Sequence, residues 1–85
     1  MLETPDGRRS RTIELIAEIL EVQVDTVRPP QRLREDLGLD SLQSLELLSL
    51  LGEELRLELP MEEALELETV EDACAFVERT VAANA

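Results

Sequence analysis

The sequence predicts an all-α protein: a small four-helix bundle of three main helices and a short third helix, with a long loop between helices one and two. Three observations support this fold class. Aromatic residues make up only 1% of the 85-residue chain. Leu, Glu and Ala dominate, and the β-branched residues do not alternate as they would in a strand. Apolar residues recur at helical spacing in segments that prolines separate.

The first helix is predicted over residues 10–21, because apolar residues recur there at helical spacing and Ser10 is a preferred N-cap residue. Residues 1–9 are interpreted as a flexible polar tail, residues 10–82 as the single folded domain, and residues 83–85 as a C-terminal tail. The inward stripe of the first helix and its flanking positions comprise Ile13, Ile16, Ala17 and Leu20 with Leu15, Ile19 and Val22.

A long loop is predicted after the first helix, because Pro29 and Pro30 cannot continue it. Gly38 is expected to end this loop. Three apolar loop residues are expected to anchor it to the core, namely Val24, Val27 and Leu33.

The remaining helices are predicted from capping and breaking residues. The second helix covers residues 41–55, and Pro60 opens a short third helix over residues 61–65. Thr69, with Asp72 three residues later, forms a capping-box-like start for the last helix. The inner stripe of that helix comprises Val70, Ala73, Cys74, Val77 and Val81, so the thiol is interpreted as a core group.

The charge of the chain limits its partners. Twenty Asp and Glu residues face eight basic residues, all arginine, for a formal net charge of −12. Such a surface repels phosphate backbones and anionic lipid, so we expect no nucleic acid and no membrane as partner. It attracts proteins with basic patches. One cysteine, no signal pattern and no membrane-length apolar run predict a protein of the reducing cytoplasm, and we expect it to be a monomer.

The second helix is predicted to have two different faces. At about 100° per residue, the core face is formed by Leu47, Leu48, Leu51 and Leu55. The opposite, outer face is formed by Leu42, Glu46, Ser49 and Glu53, with Leu45 close by. A small apolar patch bordered by carboxylates is typical of a transient docking surface.

Ser41 follows Asp40 at the predicted start of this helix. The chain has no His and no Lys to activate the hydroxyl, so self-contained hydrolysis is disfavoured. Both residue types are preferred at helix starts, and capping alone would account for them. A helix N-terminus also offers free N–H groups and a positive dipole end, which suit a phosphate ester. Residues 36–40 lack the ligand spacing of a calcium loop, so no metal site is predicted.

A resemblance to the acyl carrier proteins rests on three segments: Asp36-Leu37-Gly38-Leu39-Asp40-Ser41-Leu42, Leu45-Glu46-Leu47, and Leu59-Pro60. It covers the chain from about Ile13 to Val81. The resemblance implies that Ser41 receives 4'-phosphopantetheine from coenzyme A, transferred by a separate magnesium-dependent phosphopantetheinyl transferase. The thiol of this arm would hold acyl groups as thioesters and present them to acyl-transferring and acyl-modifying synthase enzymes. The chain would then be a carrier and not an enzyme.

The same resemblance implies further roles on the second helix. It implies that partners dock on Leu42, Leu45, Glu46 and Glu53, which agrees with the outer face described above. Asp40 would help to present the serine to the transferase.

Three positions depart from the pattern common among fatty-acid carriers: Gln43, Ser49 and Gly52. They favour a carrier of secondary metabolism, such as a polyketide pathway, over fatty-acid synthesis. A peptidyl or aminoacyl carrier would share fold and prosthetic group, but such carriers often have a neutral or histidine residue where this chain has Asp40. An unmodified helical adaptor that binds partners through Leu42 and Leu45 is the alternative from another class.

Overall fold

The computed structural model describes residues 2–84 and confirms the predicted all-α architecture. Its four helices are α1 (Pro5–Leu20), α2 (Ser41–Leu55), α3 (Met61–Ala64) and α4 (Val70–Ala83). The bounds of α2 are the predicted ones, and α3 is one residue shorter than predicted. The long loop between α1 and α2 contains a single 3₁₀ turn at Val24–Thr26. Three main helices and one short helix therefore form the bundle, as expected.

The start of α1 differs from the prediction. The helix begins at Pro5, not at Ser10, so residues 5–9 are helical although the sequence analysis placed them in a flexible tail. Thr4 is the N-cap, because its hydroxyl oxygen accepts a hydrogen bond from the Gly7 N–H at 3.0 Å. Pro5 occupies the first helical position. An N–H group there would have no intrahelical acceptor, so its absence in proline costs no hydrogen bond.

Three arginines near the start of α1 hold this part of the helix against α2 and α4. Each guanidinium group donates two hydrogen bonds to one carboxylate, a geometry that adds directional specificity to the charge attraction. The pairs are Arg8 with Glu78 (2.6 and 2.7 Å), Arg9 with Glu71, and Arg11 with Glu54 (2.7 Å for both bonds). These contacts join residues far apart in sequence, and they explain why a polar segment without an apolar stripe is nevertheless helical.

The last helix ends close to the predicted position. The final residue of α4 is Ala83, and the side-chain amide of Asn84 donates to the carbonyl oxygen of Thr80 at 2.8 Å. Met1 and Ala85, which the sequence analysis assigned to the tails, lie outside the described residues. Apart from residues 5–9, which are helical, the division of the chain into tail, domain and tail stays a prediction.

The core lies among α1, α2, α4 and the long loop, and it contains most of the predicted stripe residues. Two fully buried residues, Leu39 and Phe76, each 1% exposed, were not predicted for it. Thr12 and Thr80 are also buried, and each hydroxyl donates to a carbonyl one turn earlier. The other buried apolar residues are Leu15, Ile16, Ala17, Val27, Leu33, Leu47, Leu51, Ala64, Val70, Ala73, Cys74 and Val77.

Two valines predicted to face the core do not. Val22 is 44% exposed and Val24 is 49% exposed, whereas Val27 and Leu33 are buried as expected. Val24 begins the 3₁₀ turn, and the chain becomes extended again at Val27, which is where it turns into the core. The loop is therefore anchored by two of its three predicted residues.

The long loop is also tied to the start of α4 by its backbone. The first N–H groups of a helix lack intrahelical partners, and two of those in α4 donate to carbonyl oxygens of the loop. The three connecting bonds are Val70 N–H to Gln31 (3.0 Å), Glu71 N–H to Pro29 (2.9 Å), and Leu33 N–H to Glu68 (2.7 Å). These bonds hold the loop, and hence the residues that lead into α2, at a defined position on the bundle.

The ion pair between α1 and α2 predicts an acid-dependent stability difference. Glu54→Gln is expected to lower the free energy of unfolding by about 1 kcal/mol at neutral pH. The reason is that it removes the carboxylate that accepts two hydrogen bonds from Arg11 and leaves this guanidinium only its 3.1 Å contact with Glu14. The Arg11 guanidinium lowers the pKa of Glu54 from its ordinary value. Such a group stabilises the fold above its unfolded-state pKa, and this contribution is lost as the pH falls through the folded-state pKa. The difference in free energy of unfolding between the wild type and the variant should therefore shrink below about pH 4.

Urea unfolding of the wild type and the variant at neutral and acidic pH measures this effect. The matched control is Glu53→Gln at the adjacent residue, since Glu53 is exposed and forms no ion pair within residues 2–84. Equal losses in the two variants at neutral pH would contradict the assignment, and so would a Glu54→Gln deficit that persists in acid.

Candidate functional site

The chain reaches the start of α2 through a buried leucine. Gly38 has φ = 74°, the left-handed region that glycine adopts without strain, and it reverses the chain at the end of the loop. Leu39 follows with its side chain buried, and its N–H donates to the Leu33 carbonyl at 2.8 Å. Because Leu39 is held inside, the next two residues emerge at the surface, where both are exposed.

Asp40 caps α2. Its carboxylate accepts a hydrogen bond from the Gln43 N–H at 2.7 Å, and the Gln43 side chain accepts one from the Asp40 N–H at 3.0 Å. This is a reciprocal capping box, with the Ser44 hydroxyl adding a bond to the Asp40 carbonyl at 3.0 Å. The capping interpretation is therefore correct for Asp40, and its carboxylate is engaged by the helix.

Ser41 is the first residue of α2, and its side chain is exposed. Within residues 2–84 the Ser41 hydroxyl has no hydrogen-bond partner, and neither do the N–H groups of Ser41 and Leu42. The serine lies in an open surface groove of about 350 Å³ whose other lining residues are Arg34, Gly38, Leu39 and Asp40. A hydroxyl that is free, accessible and next to unpaired N–H groups fits a phosphate ester, which needs both access and hydrogen-bond donors.

The outer face of α2 is largely as predicted. Leu42 is 75% exposed, and Glu46, Ser49 and Glu53 are exposed along the same face. Leu45 is only half-buried rather than exposed, because it lies about 60° from Leu42 around the helix and so at the border of this face. The exposed apolar surface on α2 is therefore smaller than two fully exposed leucine side chains would provide.

The core face of α2 also agrees in part with the prediction. Leu47 and Leu51 are buried, whereas Leu48 and Leu55 are half-buried. A small apolar cavity of about 20 Å³ lies against this face, little more than one water molecule needs. It has no room for an acyl chain unless the helices around it move apart. Its lining residues are Leu33, Leu39, Ser44, Leu47, Leu48, Leu51, Ala64, Leu67, Ala73 and Phe76.

Arg34 is the residue of this site that the sequence analysis missed. It lines the same groove as Ser41, although seven positions separate the two in sequence. The turn that ends in Gly38 brings them together, since the Gly38 N–H donates to the Arg34 carbonyl at 3.1 Å. An isolated arginine in a loop carries no periodic signal, so only the folded turn reveals this placement.

Other kinds of site find no support in the described part of the chain. Cys74 is buried, and this burial raises the pKa of its thiol, as expected for a core residue and not for a reactive one. Between residues 2 and 84, no three or more acidic, histidine or cysteine side chains cluster as metal ligands would. No helix in that range is long and apolar enough to cross a bilayer.

Comparison with known proteins identifies the class to which this site belongs. A family model described as a phosphopantetheine attachment site matches residues 10–77, which include the whole groove and α2. The chain is therefore a phosphopantetheine-dependent carrier. Such a protein holds its substrate on a covalently attached cofactor and leaves catalysis to other proteins.

Curated relatives narrow the class to one family. An acyl carrier protein from Thermosynechococcus vestitus is 44% identical over 69 residues, 81% of this chain and 85% of the relative. Acyl carrier proteins from Helicobacter hepaticus (41%) and Treponema denticola (44%) match over 64 residues, 75% of this chain and 84% and 82% of those relatives. The chain belongs to the acyl carrier protein family. Members of this family work with a phosphopantetheinyl transferase and with synthase enzymes.

Proposed function

We propose that Ser41 is the residue that carries the phosphopantetheine arm. Its support is a hydroxyl without a hydrogen-bond partner, exposed at the first position of α2, beside two N–H groups that have no partner within residues 2–84. The attachment forms a bond between the Ser41 oxygen and the phosphorus of the arm, and it breaks the pyrophosphate link of coenzyme A. Adenosine 3',5'-bisphosphate leaves, and the hydroxyl proton passes to a base on the transferase. The base must be external because this chain has no His and no Lys.

Asp40 has a presenting role in this proposal. Its capping box with Gln43 holds the first turn of α2 and leaves the adjacent serine at a constant angle to the groove. The transferase then meets a pre-organised hydroxyl and need not order a mobile loop. The Ser41 and Leu42 N–H groups would donate to the phosphate oxygens once the arm is attached.

Modification of the wild type locates the arm directly. We expect that incubation with coenzyme A, magnesium and a broad-specificity transferase adds the mass of one phosphopantetheinyl group. Fragmentation of the intact protein should place that group on Ser41. If the folded protein never gains this mass, an unmodified adaptor that binds through Leu42 and Leu45 becomes the better interpretation.

The docking surface in this proposal consists of Leu42, Leu45, Glu46 and Glu53 on α2. It suits the transferase and acyl-handling synthase enzymes that present basic patches, because the exposed leucine contributes apolar contact and the carboxylates steer association. Binding of this kind is weak and salt-sensitive, which a shuttle requires in order to release each partner. The carrier itself would act as a monomer in the cytoplasm.

Charge reversal tests this docking surface. Glu46→Arg is expected to lower kcat/KM of the transferase for the apo protein about tenfold or more at low salt, with a smaller effect at high salt. The control is Glu18→Arg, which makes the same charge change at an exposed residue of α1 that forms no ion pair within residues 2–84. Equal losses for the two variants would remove α2 as the docking surface.

The pathway is proposed to be secondary metabolism, such as polyketide synthesis. Support comes from Gln43 and Ser49, neutral residues that reduce the charge and apolar bulk of α2 relative to the pattern common in fatty-acid carriers. Gly52 gives no such support, because a β-carbon there would lie 3.0 Å from the backbone oxygen of Leu57, so local packing explains it. Fatty-acid synthesis and a peptidyl or aminoacyl carrier are the alternatives. Offering the loaded carrier to synthase enzymes of each kind, at equal concentration, distinguishes them by turnover.

A further inference from the structure

The arginines of this chain differ in what their charges contact. Four of them, Arg8, Arg9, Arg11 and Arg32, form ion pairs with carboxylates, and Arg79 lies 6.0 Å from the ring centroid of Phe76. The other three, Arg28, Arg34 and Arg56, form no ion pair within residues 2–84. Only Arg34 among these three lines the groove that contains Ser41.

A neighbouring groove allows a comparison of Arg34 with Arg32, the other arginine of the same turn. That groove is lined by both Arg32 and Arg34. Arg32 is neutralised by its own turn, since its guanidinium lies 2.5 Å from Glu35 and 3.6 Å from Asp36. Its backbone N–H donates to Asp36 as well, at 2.8 Å. Arg34 is therefore the one arginine that lines the groove of the serine and forms no ion pair within residues 2–84, although Glu35, Glu66 and Glu68 line the neighbouring groove with it.

The attached arm creates a local charge problem at this groove. Its phosphodiester carries a negative charge, and it would stand beside the Asp40 carboxylate on a chain of net charge −12. The two negative charges repel each other, and the two free N–H groups of α2 supply only partial positive charge. A cation that faces the same groove would offset the repulsion.

We propose that Arg34 is the counter-ion of the phosphodiester on Ser41 and positions the first part of the arm. This inference rests on the proposed attachment at Ser41. The planar guanidinium donates to two phosphate oxygens at once, from the loop side of the groove, while the N–H groups of Ser41 and Leu42 donate from the helix side.

The wild-type protein tests this contact without any substitution. We expect the Arg34 Nε–H resonance to differ between the apo and the modified protein at about 10 mM ionic strength, where screening is weak. The difference should largely disappear at about 1 M, where the Debye length is about 3 Å. The Arg28 Nε–H resonance should be the same in both forms. Identical Arg34 resonances in the two forms, with the arm located on Ser41 by mass spectrometry, would overturn the inference.

Two matched variants give an independent readout. In the modified protein, Arg34→Gln is expected to shift the ³¹P resonance of the phosphodiester and to remove its salt dependence, while Arg28→Gln, which makes the same charge change in the same loop, leaves both unchanged. Equal ³¹P spectra for the two variants would contradict a role for Arg34 and leave the attachment at Ser41 intact. An arm found on another residue, or none, would instead overturn the attachment and this inference with it.

Discussion

Ser41→Ala is expected to abolish incorporation of phosphopantetheine completely while leaving the free energy of unfolding within about 0.5 kcal/mol of the wild type. The substitution removes only the hydroxyl group, and without it no side-chain oxygen remains at this position to form the phosphodiester. The stability should hardly change, because the side chain is exposed and its hydroxyl has no hydrogen-bond partner in residues 2–84. The cap of α2 belongs to Asp40 and stays in place.

Intact-protein mass spectrometry after reaction with coenzyme A, magnesium and a transferase measures this effect, with urea unfolding as the folding check. Ser49→Ala is the matched control, since it removes an exposed hydroxyl two turns further along the same helix. It should gain one phosphopantetheinyl group as the wild type does. If Ser41→Ala gained that mass, the site would lie elsewhere on the chain, and the groove at the start of α2 would need another explanation.

Phe76→Ala is expected to destabilise the protein by about 3–5 kcal/mol, the usual cost of removing a buried aromatic side chain. Phe76 is the only aromatic residue of the chain, it is 1% exposed, and it lines the small cavity against α2. A domain of this size has few other residues to take over that contact area. Since small domains are stable by about 5–15 kcal/mol, a large part of the folded protein's stability rests on this one ring.

The midpoint of urea unfolding, followed by circular dichroism, measures the loss. Phe76→Leu is the companion variant, and it should cost less than the alanine because more of the volume remains filled. Phe76→Ala should also slow modification of Ser41, because Leu39, which leads into the site, lines the same cavity and loses packing there. An alanine variant as stable as the wild type would show that the packing around this ring is looser than its burial indicates.

Local sequence signals account for the helices whose ends were predicted well. The bounds of α2 follow from Asp40 as N-cap and from an apolar pattern that begins directly after it. The capping box of Thr69 and Asp72 is present in full at the start of α4. In both cases the residues that determine where the helix begins are close to one another in sequence and within hydrogen-bond distance of the first turn.

Long-range contacts account for the features that were predicted wrongly or missed. Residues 5–9 were assigned to a tail because they carry no apolar pattern, and the sequence does not show the ion pairs that Arg8 and Arg9 form with α4. Val24 was expected in the core, but the direction of its side chain depends on how the 3₁₀ turn meets the bundle. Leu45 was placed on the exposed face, but it lies at the border of that face and is half-buried.

The amino-acid sequence by itself determined the helical class, the position of α2 and the identity of the candidate serine, because capping and periodicity act over a few neighbouring residues. Only the tertiary structure decided that the serine hydroxyl has no hydrogen-bond partner within residues 2–84, and that Arg34 shares its groove. Those properties depend on how the loop folds back onto α4 and on where Leu39 is buried. Both are set by packing between distant segments, which no local pattern encodes.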